Sequence, residues 1–133
     1  MKKIALILAV FLLAAIPACS PVKKGDVLLS DGVVSLAVVS SLPEGYYYSF
    51  SGEDAEAVRD YICALHLKSH FKESPESCGG MTWVICLVFE DGKEQTIYHF
   101  GNMFIREESG RWFRMEYDEA AAFESLLVGM SSD

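Results

Sequence analysis

The sequence predicts an α+β domain: an antiparallel meander sheet with two helices, in the order β-β-α-β-β-β-β-α. Three observations carry this. Residues 81–90 are a strand-length apolar run, joined to a second strand at 93–100 by Asp91-Gly92, a strong short-range hairpin signal. Residues 52–69 and 119–128 instead repeat their apolar side chains every three or four positions, as amphipathic helices do. Strands also follow strands rather than alternating with helices, which excludes a parallel, doubly wound sheet.

The elements follow in order. Val33–Val39 is rich in β-branched residues and reads as a strand. "SLPEG" turns the chain at residues 43–45, and Tyr46–Phe50 returns as its hairpin partner. Ser51 is placed to cap a helix over Gly52–Ser69, with Glu53 and Asp54 at its positive end. Ala55, Val58, Tyr61, Ile62 and Leu65 form that helix's single apolar stripe. Pro75 and Gly79-Gly80 forbid its continuation. Met81–Glu90 then pairs with the strand after Asp91-Gly92. A two-residue type I′ turn sets Glu90 opposite Lys93, Leu87 opposite Thr96, Ile85 opposite Tyr98 and Trp83 opposite Phe100. One face then carries Trp83, Ile85, Leu87, Phe89, Tyr98 and Phe100, and the other Val84, Cys86, Val88, Ile97 and His99. Both faces are apolar, so this strand is expected to be central. Met103–Arg106 and Arg111–Tyr117 make a second hairpin around "EESG". Asp118 caps the last helix, Glu119–Val128, which buries Phe123, Leu126 and Leu127 and closes at Gly129.

The N-terminus gives an address. Lys2-Lys3 precede an apolar run of 13 residues, Ile4–Ile16. As a helix it would reach only about 20 Å, short of a hydrocarbon core of about 30 Å. Pro17 interrupts its end and no positive cluster directly follows, so a secretory signal fits better than a transmembrane anchor. Ile16-Pro17-Ala18-Cys19 resembles the lipobox of bacterial lipoproteins. That resemblance implies lipidation of Cys19, which becomes the first mature residue, and anchorage on the extracytoplasmic side of the cell membrane. The alternative is an ordinary signal cut at Ala18, leaving Cys19 a plain thiol. Residues 1–18 are accordingly the signal peptide, 19–32 the lipidated cysteine and tether, and 33–133 a single domain.

Composition narrows the partners. The formal net charge is −8, and loss of Lys2 and Lys3 with the signal takes it to −10. A surface this acidic disfavours nucleic acid, whose phosphates demand clustered Lys and Arg, and favours basic partners. No glycine-rich phosphate loop is present. The body, over roughly residues 33–128, resembles small uncharacterised lipoproteins of Gram-positive gut bacteria through Asp91-Gly92 and Gly110-Arg111-Trp112-Phe113. That resemblance implies no activity.

Candidate sites are few. Cys63, His66 and His70 fall on one face of a helix drawn through residue 69, and Cys78 can fold back to them. Two Cys and two His could hold Zn, or Cu as Cu⁺, in a tetrahedral site. Against this, Cys63 and Cys78 could form a disulfide instead, and the histidines could be ordinary surface residues. Otherwise no cofactor is expected. Tyr46, Tyr47 and Tyr48 are candidate binding aromatics, since Tyr is enriched where proteins bind. No nucleophile elbow or catalytic cysteine signature occurs, Glu107-Glu108 reads as a solvated turn pair, and His99 as a structural histidine. The sequence therefore points to a lipid-anchored extracytoplasmic interaction module that binds a protein or envelope partner without catalysis. The second reading is a metal-binding lipoprotein using Cys63, His66, His70 and Cys78.

Overall fold

The computed structural model describes residues 22–43 and 45–132. The signal and Cys19 lie outside the described residues. The chain forms β1 (Lys23–Lys24), β2 (Val34–Leu42), β3 (Tyr47–Ser51), α1 (Gly52–Ala64), β4 (His66–Lys68), β5 (Thr82–Phe89), β6 (Glu94–Phe100), β7 (Phe104–Glu107), β8 (Trp112–Met115) and α2 (Tyr117–Ser131). The strands make one eight-stranded sheet in the order β1-β4-β8-β7-β6-β5-β2-β3, with every pairing antiparallel. The α+β class and the order of the main elements are those the sequence predicts.

The core lies on one face of this sheet. Along β5, Trp83, Ile85, Leu87 and Phe89 are buried while Val84, Cys86 and Val88 are half-buried, the two-residue period of a strand. Both helices cover the buried face. α1 brings Ala55, Val58 and Ile62, and α2 brings Ala120, Phe123 and Leu127. Full burial of each large side chain contributes roughly 2 kcal/mol. Neither described helix is long and apolar enough to cross a membrane.

Four local expectations are corrected. The Asp91-Gly92 hairpin closes through three loop residues, not two. Phe89 accepts from the Gly92 amide at 2.9 Å and donates to the Lys93 carbonyl at 2.9 Å, while Gly92 sits at φ 87°. That is a turn followed by a left-handed residue, which glycine adopts without a Cβ penalty. The register moves by one residue. Ile85 faces Ile97, Val84 faces Tyr98 and Trp83 faces His99. Ile97 and His99 therefore join the buried face, and Tyr98 and Phe100 join the other.

The first helix stops at Ala64, not Ser69. Leu65 turns extended at ψ 141°, and Leu65 and Leu67 are buried on either side of half-buried His66. "LHL" obeys a strand's period and is claimed by β8, where Leu67 faces Met115. At the helix ends, Ser51 occupies the cap of α1 but makes no side-chain hydrogen bond. Glu116 rather than Asp118 precedes α2, which runs through Gly129 to Ser131.

Residues 23–28 are not tether. β1 pairs with β4, a 3-10 turn spans Gly25–Leu28, and Leu28 is buried beneath α1. The Gly25 amide donates to the Leu65 carbonyl at 2.8 Å, and a Cβ on Gly25 would sit 1.7 Å from the Ile62 carbonyl oxygen. Gly25→Ala is therefore expected to lower stability by about 1–3 kcal/mol through forced repacking. Gly79→Ala, where a Cβ meets nothing within 4 Å, is expected to stay within about 0.5 kcal/mol. Chemical denaturation of the two variants measures the contrast.

Candidate functional site

The structure does not bring the four predicted metal ligands together. Because α1 ends at Ala64, Cys63 stays on the helix while His66 lies on β4 and His70 in the exposed loop beyond it. The His66 ring is hydrogen-bonded through Nδ1 to Glu119 of α2, and its amide donates to the same carboxylate at 2.9 Å. Burial raises the Glu119 carboxyl, but these His66 bonds outweigh it and hold the group below its ordinary value. Cys78 sits instead at the β6–β7 turn, with Sγ 3.2 Å from Met103 Sδ. Among the described residues no group of three or more His, Cys, Asp or Glu is placed to hold a metal.

The Cys63–Cys78 disulfide does not form either. Cys63, Cys78 and Cys86 are free thiols. The reason is topological: β4 carries the chain from α1 across to β8, so the loop bearing Cys78 emerges beside Gly101 and Met103 rather than beside the helix. Burial pushes the Cys63 and Cys86 thiols up, as do Asp26 and Asp60 near Cys63 and Glu94 near Cys86. A raised thiol is a poor nucleophile, since the thiolate is the reactive form.

The three tyrosines divide. Tyr46 and Tyr47 are 53% and 67% exposed at the β2–β3 hairpin, beside Leu42 at 60%. Tyr48 points to the helix side, stacked 5.9 Å from Phe50 and 6.1 Å from Trp83. Tyr46 and Tyr47 are thus well exposed, while Tyr48 is half-buried against the core.

Two features escaped the sequence reading. The first is a buried polar pair between the layers. Tyr61 of α1 lies 3.0 Å from His99 Nε2 and donates its hydroxyl proton to the Glu119 carbonyl at 2.9 Å. One hydroxyl proton serves one acceptor, so His99 Nε2–H donates to Tyr61. That leaves Nδ1 a bare acceptor with no partner. His99 is 0% exposed, and burial pulls it down to about 4. Burial pushes the Tyr61 phenol the other way, above its ordinary value. Closed to solvent and neutral at pH 7, the ring packs between the sheet and the helices. The second feature is Arg106, clamped on the helix-free face with its guanidinium carbon 4.3 Å from the Tyr98 ring centre and 5.5 Å from that of Trp112. It has no ion-pair partner among the described residues.

The two edges of the sheet differ sharply. β1 is two residues long and both are lysine, a short charged edge that resists strand pairing. β3 is five residues, "YYSFS", with no charge and no proline. Comparison with known protein families, curated proteins and solved structures finds no match.

Two outcomes follow. His99 titrates near 4 folded and near 6.5 unfolded, so the unfolded chain binds more protons between those values. Stability is full above about pH 6.5 and falls as pH drops toward 4, by about 3 kcal/mol in all. His99→Phe is expected to flatten that slope in denaturation measured from pH 4 to 7. Tyr48→Ala is expected to cost about 2–4 kcal/mol by opening its stack, and Tyr47→Ala less than about 0.5 kcal/mol, both read from thermal melts.

Proposed function

We propose that this chain is a lipid-anchored, extracytoplasmic binding module that holds a protein or envelope partner without transforming it. The observation that supports it best is where the fold begins. β1 starts at Lys23, four residues after Cys19. Four residues reach at most about 14 Å, so acyl chains on Cys19 would keep the β1 edge against the bilayer. Several acyl chains make such anchorage stable, since each buried CH₂ contributes about 0.8 kcal/mol.

The sheet then sets the geometry of presentation. Seven interstrand spacings of about 4.8 Å separate β1 from β3, so the far edge stands roughly 34 Å out. The guarded edge faces the lipid and the unguarded edge, with Tyr46, Tyr47 and Leu42 beside it, faces outward. The buried state of His99 and the raised thiols of Cys63 and Cys86 favour binding over chemistry.

Expression in a bacterial host tests the anchor. The mature chain is expected to begin at an acylated Cys19 in the membrane fraction, as read by mass spectrometry. Cys19→Ala is expected to cut the membrane-bound fraction about tenfold, because one missing anchor outweighs any weak surface contact. A mature chain in the medium with an unmodified Cys19 contradicts the proposal.

A further inference from the structure

We infer that the free edge of β3 accepts an extended, basic segment of a partner protein as a ninth strand. This deepens the binding-module reading and rests on it. The backbone is available. Ser41 donates to the Tyr46 carbonyl at 2.9 Å, so that pair bonds across the hairpin. Antiparallel pairs alternate, and Val39–Tyr48 and Ala37–Phe50 bond inward in turn. The amides and carbonyls of Tyr47 and Ser49 therefore point away from the sheet. No lysine, proline or bulge guards them, unlike Lys23 and Lys24 at the opposite edge.

There is room for a strand. A groove of about 390 Å³ runs along the whole of β3 and is walled by Asp54 of α1 and by Met130 and Ser131 of α2. A strand laid there gains main-chain hydrogen bonds from Tyr47 and Ser49. Its alternate side chains meet Tyr48 and Met130 on the helix side, where apolar residues fit. The others flank Tyr47 and Ser49 and stay wet.

Charge selects the occupant. Asp54 is exposed in the groove wall, and α2 ends there with no basic residue in its last turn. Its terminal carbonyls carry the negative end of the helix dipole. Both favour a cationic strand. A second copy of this chain would set two Asp54 side chains and two α2 C-termini together, between bodies that are each strongly acidic, and is disfavoured.

The probes are three acetylated heptapeptides added to the full mature chain in nonionic detergent: alternating Lys-Val, alternating Glu-Val, and the Lys-Val peptide methylated on every backbone nitrogen, which leaves neither edge able to donate. The Lys-Val peptide is expected to bind with Kd below about 100 µM. It is expected to slow exchange of the Tyr47 and Ser49 amides about tenfold or more. The Glu-Val and methylated peptides are expected not to bind. Asp54→Asn is expected to weaken binding about threefold or more, as loss of a nearby charge does. Ser49→Pro removes an outward amide without breaking the ladder to β2 and is expected to abolish binding. Should that variant unfold, the methylated peptide alone decides, because it leaves the protein untouched. The inference is overturned if no peptide binds, if the Glu-Val or methylated peptide binds as well as Lys-Val, or if the two amides gain protection with protein concentration alone, which gives the edge to a second copy. The assay runs equally on Cys19→Ala. Peptide binding by Cys19→Ala shows that strand addition stands without the anchor; a wild-type chain with an unmodified Cys19 that binds refutes only the anchor, and an acylated wild-type chain that does not bind refutes only the strand addition.

Discussion

The ring of Phe123 stacks on Tyr61 at 4.7 Å, lies against His99 at 5.0 Å and meets Trp83 edge-on at 6.0 Å. Those partners come from α1, β6 and β5, so one side chain of α2 ties both helices to two adjacent inner strands. The same ring helps close His99 off from water. Burial keeps the imidazole neutral there, because a charge in that position would lose its hydration with no counter-ion to replace it. Helix position, strand register and the protonation state of His99 thus depend on one aromatic cluster.

Because both helices pack on that cluster, among the described residues helices cover one side of the sheet alone. The opposite face is closed only at one end. There Phe71 of the loop after β4 lies 5.1 Å from Phe104, Trp112 lies edge-on to the same ring at 6.2 Å, and Glu73 pairs with Arg114 at 3.3 Å. Toward the middle, Val84, Cys86, Val88 and Tyr98 remain half-buried around Arg106. One-sided layering leaves the sheet edges as the distinctive surfaces. Their difference in length and charge gives the molecule a direction, from the short lysine edge beside the N-terminal segment to the bare edge at β3.

Much of this was legible in the sequence, and what was missed has physical causes. β-branched and aromatic runs marked the six longer strands, and the 3–4 spacing marked both helices. β1 and β4 escaped because two- and three-residue strands carry too little pattern; "LHL" fits the end of a helical stripe and a strand equally until β8 claims it. Asp91-Gly92 located its hairpin, but a turn dipeptide does not state loop length, and one extra residue moved His99 from the outer face into the core. Placing Cys63, His66, His70 and Cys78 on one site required a helix through residue 69, so it failed with that helix. The tyrosines were read as one group, but adjacent strand residues point to opposite faces, so Tyr48 does not share a surface with Tyr47. Which strands form the edges is a property of topology, and no local pattern in "YYSFS" announces it.

The proposed anchor is directional: acyl chains on Cys19 would hold the β1 edge at the lipid, with the sheet standing away from it. Neutron reflectometry of the acylated protein on a supported bilayer measures this directly. The account predicts a protein layer touching the headgroups and extending at least about 34 Å, the seven interstrand spacings from β1 to β3. A layer of about 20 Å, one helix layer on one sheet lying flat, would contradict it, as would a water-filled gap between protein and lipid.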